Sequence, residues 1–330
     1  MLPDGFDLQA HRGGAGLTVE NTLAAFGHAL DLGVTTLECD MHVTLDGVPV
    51  VLHDRRLGSE KYVDTGPAVE GDPLFPYVGG LVTDLTVDQL RTVDAGSRTL
   101  DAFPGQAASP GARVPLLSEL FDLVSARGAD EVRFNIETKF DAVAPHETSP
   151  RERFAEVVVG AARRAGVVER VSIQSFDWAV LRMVRRLEPR LRLNALVAPR
   201  YLETGKAGSS PWLGGIDIDD FPDVVDAVAA EGFDAISPAH GYPFARGAGD
   251  PSYVPFASAQ MIVRAHELGL RVLPYTVDVP ATMHALLDAG VDGMITNYPD
   301  RVRAVLAERG MPLPRARPEG HPEVAPGVSG

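Results

Sequence analysis

The chain has 330 residues, 45% hydrophobic and 23% charged, ordinary values for a globular protein that exclude a disordered or fibrous chain. Asp and Glu number 45 against 30 Lys and Arg, a formal charge of -15 that argues against nucleic acid or an anionic membrane as a non-specific partner. A single cysteine, Cys39, excludes an intrachain disulfide framework, and no apolar run reaches the roughly 20 residues that span a bilayer.

In chain order, a first strand is expected over Asp7–His11, running into His11-Arg12-Gly13-Gly14, with a helix over Asn21–Asp31. A second strand, Thr36–His42, leads through Asp46-Gly47, a hairpin dipeptide, into Val48–His53. From Arg55 to Pro115 the chain is rich in Gly, Pro, Asp and Thr. A structureless loop of that length is out of place in a compact domain, so the stretch reads as an inserted cap subdomain over one end of a barrel. Helix–strand pairs then follow: Leu117–Arg127 and Val132–Glu137, Arg151–Ala165 and Val171–Gln174, Trp178–Leu187 and Leu191–Val197. Pro199–Pro222, with its acidic run Asp217–Asp220, reads as a solvated loop. The pattern resumes with Asp223–Ala230 and Ala235–Ser237, Phe256–Leu268 and Arg271–Tyr275, Ala281–Ala289 and Gly293–Thr296, then helix Asp300–Arg309. Several helices end in a glycine such as Gly128, Gly232 or Gly290, as a left-handed cap prefers.

Roughly eight alternating units define a (β/α)₈ TIM barrel, with residues 1–310 as one domain and the Pro- and Gly-rich residues 311–330 as a disordered tail. The first residues, Met1-Leu2-Pro3-Asp4-Gly5, lack a basic and an apolar leader region. That implies a cytoplasmic protein if Met1 is the native start, and a secreted one if a leader has been removed. Monomer and homodimer both stay open.

Barrel enzymes place their chemistry at the C-terminal ends of the strands. Polar residues gather at those ends here: His11, Glu38 and Asp40, His53 and Asp54, Glu137 and Lys139, Gln174 to Phe176. Glu38 and Asp40 lie two apart and so share a strand face, as do Glu137 and Lys139. If that face is the lumen, three carboxylates converge and require protons or a cation. An all-oxygen set suits Mg²⁺ or Ca²⁺ better than zinc. His11 and His53 flank the acids and can exchange protons near neutral pH. Arg12 and Lys139 suit phosphoryl oxygens, although strict alternation would turn Arg12 away from His11. His240, ending the sixth strand, is a further candidate for substrate contact.

These residues resemble the glycerophosphodiester phosphodiesterase family. His11-Arg12-Gly13-Gly14 with Glu20-Asn21-Thr22 is similar to its first block, and Glu38 through Asp54 to its second almost position for position. Ile136-Glu137-Thr138-Lys139, Gln174-Ser175-Phe176, Thr276-Val277-Asp278, Asp292-Gly293 and Thr296-Asn297 continue in the family's order, so that the resemblance spans roughly Phe6 to Leu306. It implies metal-dependent hydrolysis of glycerophosphodiesters to glycerol 3-phosphate and an alcohol. Glu38, Asp40 and Glu137 then match metal ligands, His11 and His53 the acid–base pair, and Arg12 and Lys139 phosphate contacts. Gln174, Phe176, Tyr275 and His240 are candidates for the substrate pocket. Tyr275 stands where the family commonly has Trp, Asp278 where it has Asn, and Val19 where it often has Pro; the first two leave the accepted head group open.

Three other readings compete. A lysophospholipase D-like enzyme needs an apolar rim, for which Phe75, Tyr77 and Leu81 are candidates. A glycosidase uses two carboxylates without metal, and Glu-x-Asp on one strand fits it poorly. A catalytically inactive binding barrel is expected to lose site positions, and none is lost here.

Overall fold

The computed structural model describes residues 5–206 and 208–319. Runs of Val, Ile and Leu build strands buried on both faces, as a parallel sheet under helices requires. They are β1 (Asp7–Ala10), β2 (Thr36–Val43), β3 (Arg133–Thr138), β4 (Val171–Ser175), β5 (Arg192–Val197), β6 (Ala235–Pro238), β7 (Arg271–Val272) and β8 (Gly293–Thr296). Neighbours pair in parallel in the order β7-β6-β5-β4-β3-β2-β1-β8. The ring is drawn together where Asp292 N donates to Val272 O (3.1 Å) and Ile295 N to Pro274 O (3.0 Å). β7 is shorter than the expected Arg271–Tyr275 because Pro274 offers no amide to the ladder. Leu273 N and Tyr275 N still bond to Ile236 O and Pro238 O, both at 3.0 Å, so the backbone keeps its course.

The surrounding helices are α1 (Leu23–Leu32), α2 (Leu117–Ala126), α3 (Arg151–Arg164), α4 (Trp178–Leu187), α5 (Val224–Ala230), α6 (Ala259–Glu267), α7 (Pro280–Ala289) and α8 (Pro299–Glu308). Thr22, Asp177, Asp223 and Ser258 cap the first-turn amides of α1, α4, α5 and α6, and proline opens α7 and α8. Alternation along β2 sorts its side chains. Leu37, Cys39 and Met41 join the apolar layer beneath the helices, which leaves Glu38 and Asp40 for the lumen.

Pro49–Val51 returns antiparallel to β2, pairing Met41 with Val51. The stretch from 55 to 115 then folds around its own apolar cluster, which includes Leu57, Tyr62, Tyr77, Leu90 and Val93. Tyr77, offered above as rim for an acyl chain, is buried there, and Phe75 packs against the same cluster. Pro199–Pro222 also departs from expectation. It is a packed segment, with a helical turn at Pro199–Leu202, buried Leu213 and Ile218, and Trp212 O accepting from Trp178 N at 2.9 Å. The expectation of a disordered tail from Met311 does not hold for residues 311–319. Arg317 N donates to Leu30 O (2.7 Å), and Arg303 reaches Pro314 O (2.8 Å). The rest of that tail, 320–330, lies outside the described residues.

Candidate active site

β2 and β3 run in register, with Asp40 opposite Glu137 and Glu38 opposite Asn135. Alternation aims Glu38, Asp40 and Glu137 at one point, and ligand oxygens of all three lie within 4.8 Å of one another. All three are buried. Asp40 Oδ1 has no hydrogen-bond partner among the described residues, and its nearest cation is Lys139 Nζ at 3.5 Å. An orphaned carboxylate oxygen beside two further acids fits a hard cation. The three can hold a metal ion.

β1 stops at Ala10, and His11–Gly13 form a single tight turn with Arg12 at φ 53 and ψ 33. This left-handed residue removes the conflict seen in the sequence, since outside a strand both His11 and Arg12 turn to the carboxylates. Arg12 N donates to Glu38 Oε2 (2.8 Å), its Nη1 reaches Glu20 Oε2 (2.9 Å), and its Nε lies 3.2 Å from Asp40 Oδ2. Asn21 Nδ2 donates to the same Asp40 oxygen at 2.9 Å. The following glycines serve packing rather than an anion cradle. A Cβ on Gly13 would meet Ala25 at 2.9 Å, and one on Gly16 would meet the Tyr298 ring at 2.4 Å.

The two histidines are oriented by different partners. His53 Nδ1 lies 2.7 Å from Asp54 Oδ1, an acceptor only, so Nδ1 carries the hydrogen and Nε2 keeps a lone pair. Asn297 Nδ2 donates to Asp278 Oδ2 (2.7 Å), which turns Asn297 Oδ1 to His11 Nδ1 at 2.7 Å. His11 Nε2 is thereby left bare, 4.0 Å from Glu38 Oε2. Burial, then the Arg12 charge, lowers the His11 pKa to about 3; burial, then Lys139, lowers that of His53 to about 4. Burial together with Asp40 and Glu137 pushes Glu38 well above the ordinary carboxylate range. Burial also acts to raise Asp40, yet Arg12 and Lys139 hold it well below its usual value. Neighbouring acids on opposite sides of the normal range mark an uncompensated cluster.

Of the four pocket candidates, two meet the site or its cavity directly. Gln174 Nε2 donates to Glu38 Oε1 (2.7 Å), and Phe176 lines a cavity of about 560 Å³ that opens beside His53, Glu137 and Lys139. Tyr275 stands behind Phe176, ring centroids 5.8 Å apart, with its hydroxyl on Val197 O. His240 is not brought to the site. Tyr253 Oη and Phe244 O take its two nitrogens at 3.0 and 3.2 Å, and it does not line the cavity. Neither do Phe75, Tyr77 or Leu81.

Several contributors lie outside the sequence motifs. Lys61, from the insert, bridges Glu20 Oε1 (2.9 Å) and Asp54 Oδ2 (2.6 Å). Nothing local to its sequence points to Glu20, 41 residues away. Tyr201 and Trp212 line the cavity from the segment read as a solvated loop. Their clustered aromatics were the available signal.

Acids, imidazoles and cations at the C-terminal mouth of a parallel barrel define the class: a (β/α)₈ enzyme scaffold built for an anionic substrate. The particular family follows from comparison. The chain belongs to the glycerophosphoryl diester phosphodiesterase family, whose sequence profile matches residues 11–301. A glycerophosphodiester phosphodiesterase of Caldanaerobacter subterraneus subsp. tengcongensis is 28% identical over 291 residues, 88% of this chain and 93% of its own. A chain from Silicibacter pomeroyi DSS-3 that carries this family's name superposes with a TM-score of 0.74 at 30% identity, covering 94% of this chain and 96% of its own. An Oleispira antarctica phosphodiesterase, solved with the product sn-glycerol-3-phosphate, has the same fold, with a TM-score of 0.65 at 18% identity over 91% of this chain and 96% of its own. Among the described residues no helix is long and apolar enough to cross a membrane.

Proposed function

We propose that this chain hydrolyses glycerophosphodiesters to glycerol 3-phosphate and a free alcohol, with the chemistry centred on Glu38, Asp40 and Glu137. The observation that carries the reading is the buried carboxylate triad flanked by two imidazoles with bare Nε2 atoms. A glycosidase has no use for such a triad, and a binding barrel has no use for both proton carriers.

The triad would hold Mg²⁺ or Ca²⁺, hard ions that prefer oxygen. Such a cation supplies Lewis-acid polarisation of a phosphoryl oxygen and offsets its negative charge. Arg12 and Lys139 sit on either side of Asp40 and are placed to bind the remaining phosphoryl oxygens as charge builds. In the net reaction water oxygen ends on phosphorus, one P–O ester bond breaks, and a proton reaches the departing alkoxide. His11 and His53 share the two transfers: one takes the nucleophile's proton at its bare Nε2, and the other, once protonated at Nε2 beside the bound phosphate anion, delivers that proton to the leaving oxygen. Asn297 and Asp54 hold the rings so that Nε2 is the working atom in each. The 55–115 insert acts as a cap that tethers to this centre through Lys61.

Release of glycerol 3-phosphate from glycerophosphomethanol and glycerophosphocholine, with and without chelator, tests the reading, with a lysophospholipid alongside. Chelator-sensitive release is expected. Turnover that ignores the chelator would remove the cation from the scheme, and faster cleavage of the lysophospholipid would move the chain to the lysophospholipase D-like class. The charged cavity and the internal position of Tyr77 speak against that second class.

A further inference from the structure

The cavity beside the triad has a wall of its own kind. Phe176 follows β4, while Tyr201 and Trp212 come from the packed segment after β5. Their rings form a continuous surface, with Phe176 and Tyr201 centroids 4.5 Å apart and Tyr201 and Trp212 4.7 Å apart. The guanidinium of Arg200 lies over the Tyr201 ring, 4.6 Å from its centroid. Arg200 has no carboxylate within ion-pair distance among the described residues, unlike Arg55, which lines the same cavity and is held by Asp141 at 2.8 Å.

Three leaving-group chemistries can be set against this surface. A quaternary ammonium needs an open ring face and no competing cation. Here the Tyr201 face already carries a cation, and that unneutralised charge repels a second one. An acyl chain needs an apolar tunnel, whereas this cavity is bounded by Asp54, Glu60, Asp141, Glu147 and three arginines. A polyhydroxyl head group meets both requirements. Its C–H faces pack on planar rings, as aromatic surfaces beside polar groups allow, and its hydroxyls bond to charged side chains at the edge.

We propose that Tyr201, Trp212 and Arg200 make this cavity a subsite for a polyol alcohol, such as glycerol or inositol, on the leaving side of the diester. The proposal rests on the hydrolytic reading above and names its substrate class. Arg200 donates to the polyol hydroxyls and excludes cationic head groups, while Trp212 carries the stacked face.

The test compares kcat/KM for glycerophosphoinositol, glycerophosphocholine and glycerophosphomethanol on the full chain. The methyl ester is too small to reach the wall. Wild type is expected to favour the inositol ester over the choline ester by about tenfold or more. Trp212→Ala should lower the inositol rate, relative to the methyl ester in the same variant, by about tenfold and mainly through KM. Arg200→Ala, at an exposed side chain, should shift the choline-to-inositol ratio upward by about fivefold, because it frees a ring face and removes a repelling charge. Failure to cleave even the methyl ester would sink the hydrolytic reading itself. Cleavage of all three esters with no inositol preference, or an Arg200→Ala variant with the wild-type ratio, would leave hydrolysis standing and overturn the polyol subsite.

Discussion

The two ends of the barrel lumen both bury acids, and they treat them in opposite ways. At the N-terminal end Asp7 is met by Arg133 at 2.9 Å, Arg271 at 3.7 Å and the hydroxyls of Thr35 and Thr36 at 2.8 and 2.7 Å. Burial acts to raise its pKa, but these partners hold it below the ordinary value. At the C-terminal end burial and two neighbouring carboxylates push Glu38 the other way, and Asp40 keeps an unsatisfied oxygen. A ladder joins the two, from Asp7 through Gln9, Asn135 and Gln174 to Glu38, each step a hydrogen bond of 2.7–3.0 Å. One chain of side chains thus runs from a compensated acid to an uncompensated one. Compensation is architecture; its absence, held in place by rigid strands, is what a binding site requires.

Removing one negative charge from the mouth should break this contrast most visibly. Glu137→Gln keeps an oxygen for Lys139 Nζ, now 2.8 Å from Glu137 Oε1, while deleting one negative charge of the proposed cation site. Its kcat/KM should fall by about 10³ or more, since the cation's contribution is worth several kcal/mol. Its metal-free Tm should be no lower than that of the wild type, because a repulsion has been relieved. Added Mg²⁺ or Ca²⁺ should raise the Tm of the wild type alone. A variant that melts well below metal-free wild type would mean that the triad is structural.

The matching change at the other end acts on stability. Asp7→Asn leaves Arg133 and Arg271 without their carboxylate and should cost about 3 kcal/mol in urea melts at neutral pH. Because the folded Asp7 has a lowered pKa, its stabilisation is present above the unfolded value near 3.9 and lost as pH falls through the folded one. The gap between variant and wild type should therefore close in acid. A pH-independent gap would assign the cost to packing.

His53→Ala should lower kcat/KM by about 10² if its Nε2 carries a proton in the reaction. With its pKa lowered to about 4, first by burial and then by Lys139, neutral His53 persists well below pH 6.5. An acid limb of the free enzyme assigned to His53 should lie nearer that lower value. Near-wild-type turnover in the variant would strike His53 from the scheme.

Much of the mouth was legible because strand period is a strong rule. Glu38 and Asp40 had to share a face, and the parallel register then set Asp40 against Glu137. What escaped lies where no period operates. Arg12 takes a left-handed backbone that only its surroundings stabilise. His240 obeys the strand-end rule in position, yet Tyr253 and Phe244 claim its ring. Gly, Ser and an acidic run made 199–222 look solvated, although Trp212 and Leu213 anchor it. In the tail, backbone carbonyls of Pro314 and Arg317 bind Arg303 and Arg127, a contact no composition argument can find. Asp278 is the acceptor that orients Asn297 towards His11, a role that the motif around it does not reveal.

The smallest expected effect concerns the tie between insert and mouth. Lys61→Ala removes the ammonium shared by Glu20 and Asp54, both otherwise engaged, with Arg12 and His53 respectively. Each acid keeps one partner, so a loss of about 1 kcal/mol in stability is expected, the scale of a partly exposed ion pair. The kinetic effect should stay near threefold, because Asp54 still fixes the His53 ring. A fall approaching that of His53→Ala would mean that Lys61 sets the Asp54–His53 geometry, and that the 55–115 stretch contributes to the catalytic centre through it.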